Sequence, residues 1–188
     1  MSAAGISAGL KYFEHTYALP YNQIGTGIDH SLFALLKTAI EFAIRPYPTP
    51  RTMAFVLRGY TVLMAVVDLA LYFLCIRFLP PLNQVLCLCI LAILTTPLSV
   101  DYTLMHLYVP WGMMVLLAIE AWREGREIPG MKAAFFCFLI LLCSLSEFMF
   151  RQCIIGGQIK AIALVGLLVI ALRYPFVSHE QPSVYAPA

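Results

Sequence analysis

Long apolar runs, separated by short polar or proline-bearing segments, make up most of residues 54–176. The first, residues 54–79, carries Arg58 and Arg77 near its ends. The 18 residues between them, 59 to 76, rise about 27 Å as a helix, close to the hydrocarbon thickness of a bilayer. Both arginines can lie along the helix with their charged ends in the headgroup region. Pro80 and Pro81 end this run. Residues 82–98 and 104–119 follow as a hairpin around the polar turn 99–103. A fourth run covers residues 133–150, and a fifth, opening with Gln158 and Lys160, covers 157–172. Gly156–Gly157 reads as a turn ahead of it. The pattern predicts an all-α polytopic membrane protein with about five transmembrane helices over residues 54–176.

Residues 1–53 read as an extramembrane or interfacial segment. Residues 1–26 lack the apolar core of a secretory signal, since Lys11, Glu14, His15, Pro20, Gly25 and Gly27 interrupt them. Asp29 or Ser31 can cap a helix over residues 31–45. Its apolar positions Leu32, Leu35, Leu36, Ala39, Ile40 and Ala43 recur at three and four, with Lys37, Thr38, Glu41 and Arg45 opposite. Pro46, Pro48 and Pro50 then end it. Too short and polar to span, it suits a helix lying along the membrane interface, or else one packed on its neighbours, with the interface favoured. The tail 177–188, with Pro182 and Pro187, reads as disordered.

Composition narrows the class further. With 61% apolar residues, 12% charged and a mean hydropathy of +0.84, the chain is no disordered segment, disulfide scaffold or nucleic-acid binder. A net charge of +2 steers nothing in particular. Cys75, Cys87, Cys89, Cys137 and Cys143 lie inside apolar runs and read as small buried hydrophobes, with Cys153 at a run's end. Cys87 and Cys89 are spaced C-x-C and no histidine stands at zinc-finger spacing, so no metal is expected. Five spans place the segment before residue 54, the 99–103 turn and the 151–157 connection on one side, called side A. Arg77, Arg123, Arg126, Lys132 and Arg173 fall on side B against Arg151 and Lys160 in the side-A connections, so the positive-inside rule, which weights short loops, favours side B and the C-terminus as cytoplasmic in a plasma-membrane protein, while Lys11, Lys37, Arg45 and Arg51 of the N-terminal segment count the other way.

Polar groups within apolar runs mark candidate sites. Asp68 lies near the middle of the first run with no base within one helical turn; it reads either as a proton or cation site or as a group bonded to another helix. Glu147 and Arg151, four apart, read as a helical ion pair. The segment 97–110, PLSVDYTLMHLYVP, is the densest: two prolines bracket Ser99, Asp101, Tyr102, His106 and Tyr108. As a helix it would put Tyr102 with His106 on one face and Asp101 with Tyr108 on another. This is either a wet interfacial turn or one wall of a side-A site to which Asp29, His30, Glu147, Arg151, Gln158 and Lys160 converge. Such cations and donors suit an anionic lipid headgroup or a sugar phosphate.

These stretches carry a resemblance. GTGIDHSLFALLKTAI, PLSVDYTLMHLYVP and GGQIKAIALVGLLVIALRYPF resemble, in this order, the C-terminal half of family 87 glycosyltransferases. Those are GT-C-type membrane enzymes related to polyprenol-phosphate-mannose-dependent mannosyltransferases. Asp29, His30, Ser31 and Leu32 match the family's N-Q-S-L-like stretch, and Pro97, Ser99, Asp101 and Tyr102 its P-x-S-W-x-H-Y-like stretch. The chain departs from the pattern at Val100, where Trp is usual, at Asp101, where His is common, and at Asp-His in place of Asn-Gln.

The resemblance implies part of a hexosyltransferase that uses a polyprenyl-phosphate sugar as donor, with no other cofactor. An N-terminal half, as a longer reading frame or a partner subunit, would supply the family's usual acidic residue. Catalytic candidates are Asp29, Asp101 and His106; substrate-binding candidates are Arg151, Lys160 and Tyr102. Asp29 or Asp101 would activate an acceptor hydroxyl while Arg151 or Lys160 held the lipid phosphate. The alternatives are a small non-catalytic membrane scaffold or subunit and, least favoured, a transporter working through Asp68.

Overall fold

A computed structural model of the chain describes residues 7–9, 11–12, 29–43, 49–143, 149–150 and 153–176. Beyond short helical stretches at residues 7–9 and 11–12, six helices follow one another among the described residues: α1 Leu32–Ala43, α2 Pro50–Leu74, α3 Pro81–Leu94, α4 Tyr108–Arg123, α5 Met131–Leu142 and α6 Gly156–Arg173. Short 3₁₀ helices lie at Ile76–Phe78 and Asp101–Leu107. One two-residue antiparallel ladder pairs Met149–Phe150 with Cys153–Ile154. Among the described residues, three helical stretches are long and apolar enough to cross a membrane, Arg51–Phe78, Thr103–Arg123 and Gly156–Arg173. This is the build of a helical membrane protein.

Local chemistry fixes the boundaries. α2 starts four residues before the expected run because Thr49 caps it, its Oγ1 accepting from the Thr52 N–H at 3.3 Å, while Pro50 stands where no amide hydrogen is needed. Leu94 ends α3 well short of residue 98. Thr95 Oγ1 donates back to the Leu91 carbonyl at 2.8 Å, and Pro97 forbids another turn. At 14 residues α3 is about 21 Å long, so it is an apolar helix shorter than the hydrocarbon layer. The run 133–150 departs further from expectation. α5 stops at Leu142, where Cys143 turns extended at φ −67° and ψ 137°, and the chain re-enters as the ladder rather than as helix. Gly156–Gly157, expected as a turn, are the buried first residues of α6.

Helices α3 to α6 share one core that includes Leu86, Ile90, Met114, Phe138, Leu164 and Leu167. α6 is central: 50% of its apolar stretch is buried, against 28% for the stretch containing α4 and 11% for α2. Ala161, Ala163, Ala171 and Gly157 on α6 keep its buried surface thin, which lets neighbouring backbones approach closely. Polar capping locks its far end. Asn83, fully buried on α3, donates from Nδ2 to the carbonyls of Ala171 at 2.6 Å and Tyr174 at 2.8 Å, and accepts the Phe176 N–H at 2.7 Å. Those carbonyls lie at an α6 terminus that has no further turn to receive them. Across the same end, the α4–α5 loop turns through Gly125 at φ +68° and Gly130 at φ +79°. A Cβ on Gly130 would stand 2.6 Å from the Tyr174 ring.

α1 joins α2 through a second cluster of Phe33, Met53, Leu57 and Tyr60, with the Phe33 and Tyr60 rings 5.0 Å apart. Its orientation corrects the amphipathic expectation. Ser31 and Lys37 are buried against the protein, whereas Leu36 is exposed. Lys37, expected on the solvated face, therefore lies inward, where Asp29 offers it an opposite charge, and Thr38 accepts Gln158 of α6. Beyond this cluster α2 presents Val62, Leu63, Val66, Leu69, Phe73 and Leu74 outward. Asp68, placed by sequence among apolar neighbours alone, turns from that surface and reaches the hydroxyl of Thr95 at the end of α3. The cysteines divide: Cys87 is buried, Cys89 and Cys137 are partly covered, and Cys75 and Cys143 are exposed, against the expectation that all are buried.

Candidate functional site

Four elements meet at one end of the bundle: the start of α1, the 3₁₀ helix Asp101–Leu107, the end of α5 and the start of α6. Asp29 ties the first to the second. Its Oδ1 accepts the backbone N–H of Ser31 at 2.9 Å and of Ser99 at 2.8 Å, and the His30 N–H donates to the Ser99 carbonyl at 2.9 Å. Ser31 then caps α1, its Oγ accepting the Ala34 N–H at 3.1 Å and donating to the Pro97 carbonyl at 3.4 Å. Burial pushes the Asp29 carboxyl up from the ordinary carboxylate range, against the two amides and Lys37, which favour its charged form. The same burial pushes Lys37 down, opposed by Asp29, and Lys37 Nζ lies 5.6 Å over the Phe33 ring. Through Oδ1, Asp29 thus clamps the backbone of residues 31 and 99 together.

A second layer stands on this clamp. Thr103 Oγ1 donates to the Val100 carbonyl at 2.8 Å, so its lone pairs receive Ser99 Oγ at 2.8 Å and His30 Nε2 at 3.2 Å. The hydroxyl has one proton, which assigns the Nε2 proton to His30 by the network. Nδ1 of His30 therefore faces Asp101 Oδ1, 4.0 Å away. The same Asp101 oxygen accepts Lys160 Nζ at 2.6 Å. Gln158, two residues before Lys160 on the α6 entry, donates from Nε2 to Thr38 Oγ1 at 3.1 Å and so binds α6 to α1.

Beside this pair lies a cavity of about 190 Å³, walled by Leu104, Leu107, Tyr108, Trp111, Phe138 and Leu141, with Leu142 and Cys143 completing the wall. Asp101 and Lys160 are its only charged lining residues among those described. The 3₁₀ geometry explains the arrangement: at three residues per turn, Asp101, Leu104 and Leu107 stack on one side. The α-helical expectation that Tyr102 and His106 share a face is thereby replaced, although Asp101 and Tyr108 do line one cavity. Of the candidate residues, Asp29, Asp101 and Lys160 converge, together with His30 and Gln158. His106 is exposed and outside the cavity lining. Arg151 and Glu147, the Tyr102 side chain, Arg45, the leader region 13–28 and the tail 177–188 lie outside the described residues.

Lys37 and Thr103 were missed as site residues because each resembles a routine solvated position in sequence. The only available signal was spacing: Ser99 and Thr103 are four apart beyond Pro97, and Lys37 follows a buried Phe33 by four. Set against families of known proteins, curated proteins and solved structures, the chain matches none. Among the described residues, three helices able to cross a membrane mark the chain as a helical membrane protein, and a charged pair stands at the edge of a largely apolar cavity.

Proposed function

We propose that the chain is an integral membrane protein that binds a polyprenyl-phosphate sugar as the C-terminal part of a GT-C-type hexosyltransferase resembling family 87. One observation carries this reading: a buried ammonium, Lys160, and a half-exposed carboxylate, Asp101, stand at the polar end of a cavity whose other walls are aliphatic and aromatic. A prenyl chain suits the apolar wall, a phosphate suits Lys160, and an acceptor hydroxyl beside Asp101 would find a general base. On a five-span reading the site would lie on side A, outside the cytoplasm, with the C-terminus cytoplasmic in a plasma membrane. The N-terminal half or partner subunit would complete the catalytic set.

The test is native mass spectrometry of the full chain with farnesyl-phosphate mannose, beside farnesol as the uncharged control. The phosphate sugar should be retained and farnesol not, and Lys160→Met should abolish the difference. Equal retention of both compounds would remove the reading. A non-catalytic membrane subunit is the second reading, favoured by the outward apolar surface of α2. It predicts that Asp101 and Lys160 tolerate substitution while changes to that surface disrupt assembly.

A further inference from the structure

The Lys160–Asp101 pair is unequal. Lys160 is 4% exposed and packed among the α6 contacts, whereas Asp101 is 50% exposed at the edge of the cavity. Taking the partner from a buried ammonium is costly, so Lys160 retains Asp101 unless another anion replaces it. The carboxylate has somewhere to go: water on its exposed side, and His30 Nδ1, 4.0 Å from the same oxygen, which becomes a donor on protonation. No other acidic residue among those described lines the cavity or pairs with Lys160.

We infer that Asp101 is the resident counter-ion of Lys160 and is exchanged for the ligand's anionic head, so that the cavity is closed electrostatically to neutral amphiphiles and opens by partner exchange to phosphate-bearing ones. This rests on reading the cavity as a site for a lipid-linked phosphate. Asp101 is in this view a competitor of the ligand for Lys160. Its removal strengthens binding, where a carboxylate needed to orient Lys160 would weaken it on removal.

The probe is decyl phosphate, with decanol as the uncharged control, added to the full chain in maltoside micelles. Fluorescence of Trp111, in the cavity wall, is read in a Trp122→Phe background, since Trp122 is exposed at the other end. Asp101→Asn should bind decyl phosphate roughly 10-fold more tightly, the size expected for removing one half-screened like charge. Lys160→Met should lose at least that much, and decanol should distinguish none of the proteins. A second measurement needs no variant: a carbodiimide joins the touching carboxylate and amine, and the 101–160 cross-link read by peptide mass should fall when decyl phosphate is added and persist with decanol. Binding of decyl phosphate with Asp101→Asn unchanged or weaker, or with the cross-link undiminished, overturns the exchange and leaves the phosphate site standing. No binding of decyl phosphate to either protein overturns both.

Discussion

Replacing Asn83 by Leu tests whether polar capping, in addition to apolar packing, holds the end of α6. The side chains are similar in size, so no large cavity opens. Three hydrogen bonds vanish: those to the carbonyls of Ala171 and Tyr174 and from the Phe176 amide. Tyr174 is partly exposed and its carbonyl recovers water, whereas Ala171 and Phe176 are buried, so one carbonyl and one amide lose their partner without replacement. Each such group costs about 1–3 kcal/mol, or about 2–6 kcal/mol together. The added apolar surface of Leu offsets about 1–2 kcal/mol of this. A net loss centred on about 2.5 kcal/mol follows, which lowers the melting temperature by about 5–10 °C for a chain of this size. The assay is thermal unfolding in detergent, followed by modification of Cys87, the buried thiol of α3. Asn83→Leu melting within about 2 °C of the parent would refute the capping argument.

Three further outcomes follow from the same structure. Gly130→Ala should destabilise by about 1–3 kcal/mol through its positive φ and its collision with the Tyr174 ring; Tyr174→Ala should recover only the collision, as a double-mutant melting cycle would show. Because burial raises the Asp29 carboxyl above its unfolded value of 3.8, the folded state binds the extra proton, so stability falls as pH rises from about that value through the higher folded one. Asp29→Asn keeps an acceptor for the amides of Ser31 and Ser99 and should flatten that slope in melts run between about pH 4 and 7; an unchanged slope would clear Asp29 of responsibility. Glu127 is lowered and Lys132 raised by their mutual pairing, yet both are fully exposed, so Glu127→Gln should leave the melting curve unmoved at physiological salt.

What sequence reveals here is set by which force fixes each position. Bilayer-length hydropathy identified α2 and α6 closely, since a long apolar run bounded by proline or arginine has few other solutions. The same criterion overextended the run 133–150, because hydropathy is blind to the extended turn at Cys143 that divides it. At the site, Asp29, Asp101 and Lys160 were legible as polar groups in apolar surroundings. Their roles were not. Whether Asp29 faces a ligand or two backbone amides depends on how the 97–103 segment docks, and Lys37 is inward only because that docking leaves an acidic group beneath α1. Nor does composition reveal that residues 101–107 wind at three per turn, which decided who shares a face with Asp101.

That tighter winding has a mechanical consequence. Each 3₁₀ residue turns about 120° and rises about 2.0 Å, against about 100° and 1.5 Å in an α-helix. Over the steps from Asp101 to Tyr108, rewinding as an α-helix would swing Asp101 by roughly 140° around the axis and draw it in by about 3.5 Å. The segment is thus a gauge that sets both the bearing and the height of one carboxylate relative to α4. Deleting one residue from it would rotate Asp101 a third of a turn away from Lys160. Deleting three would restore the bearing about 6 Å lower, so only length changes in steps of three keep Asp101 turned toward Lys160.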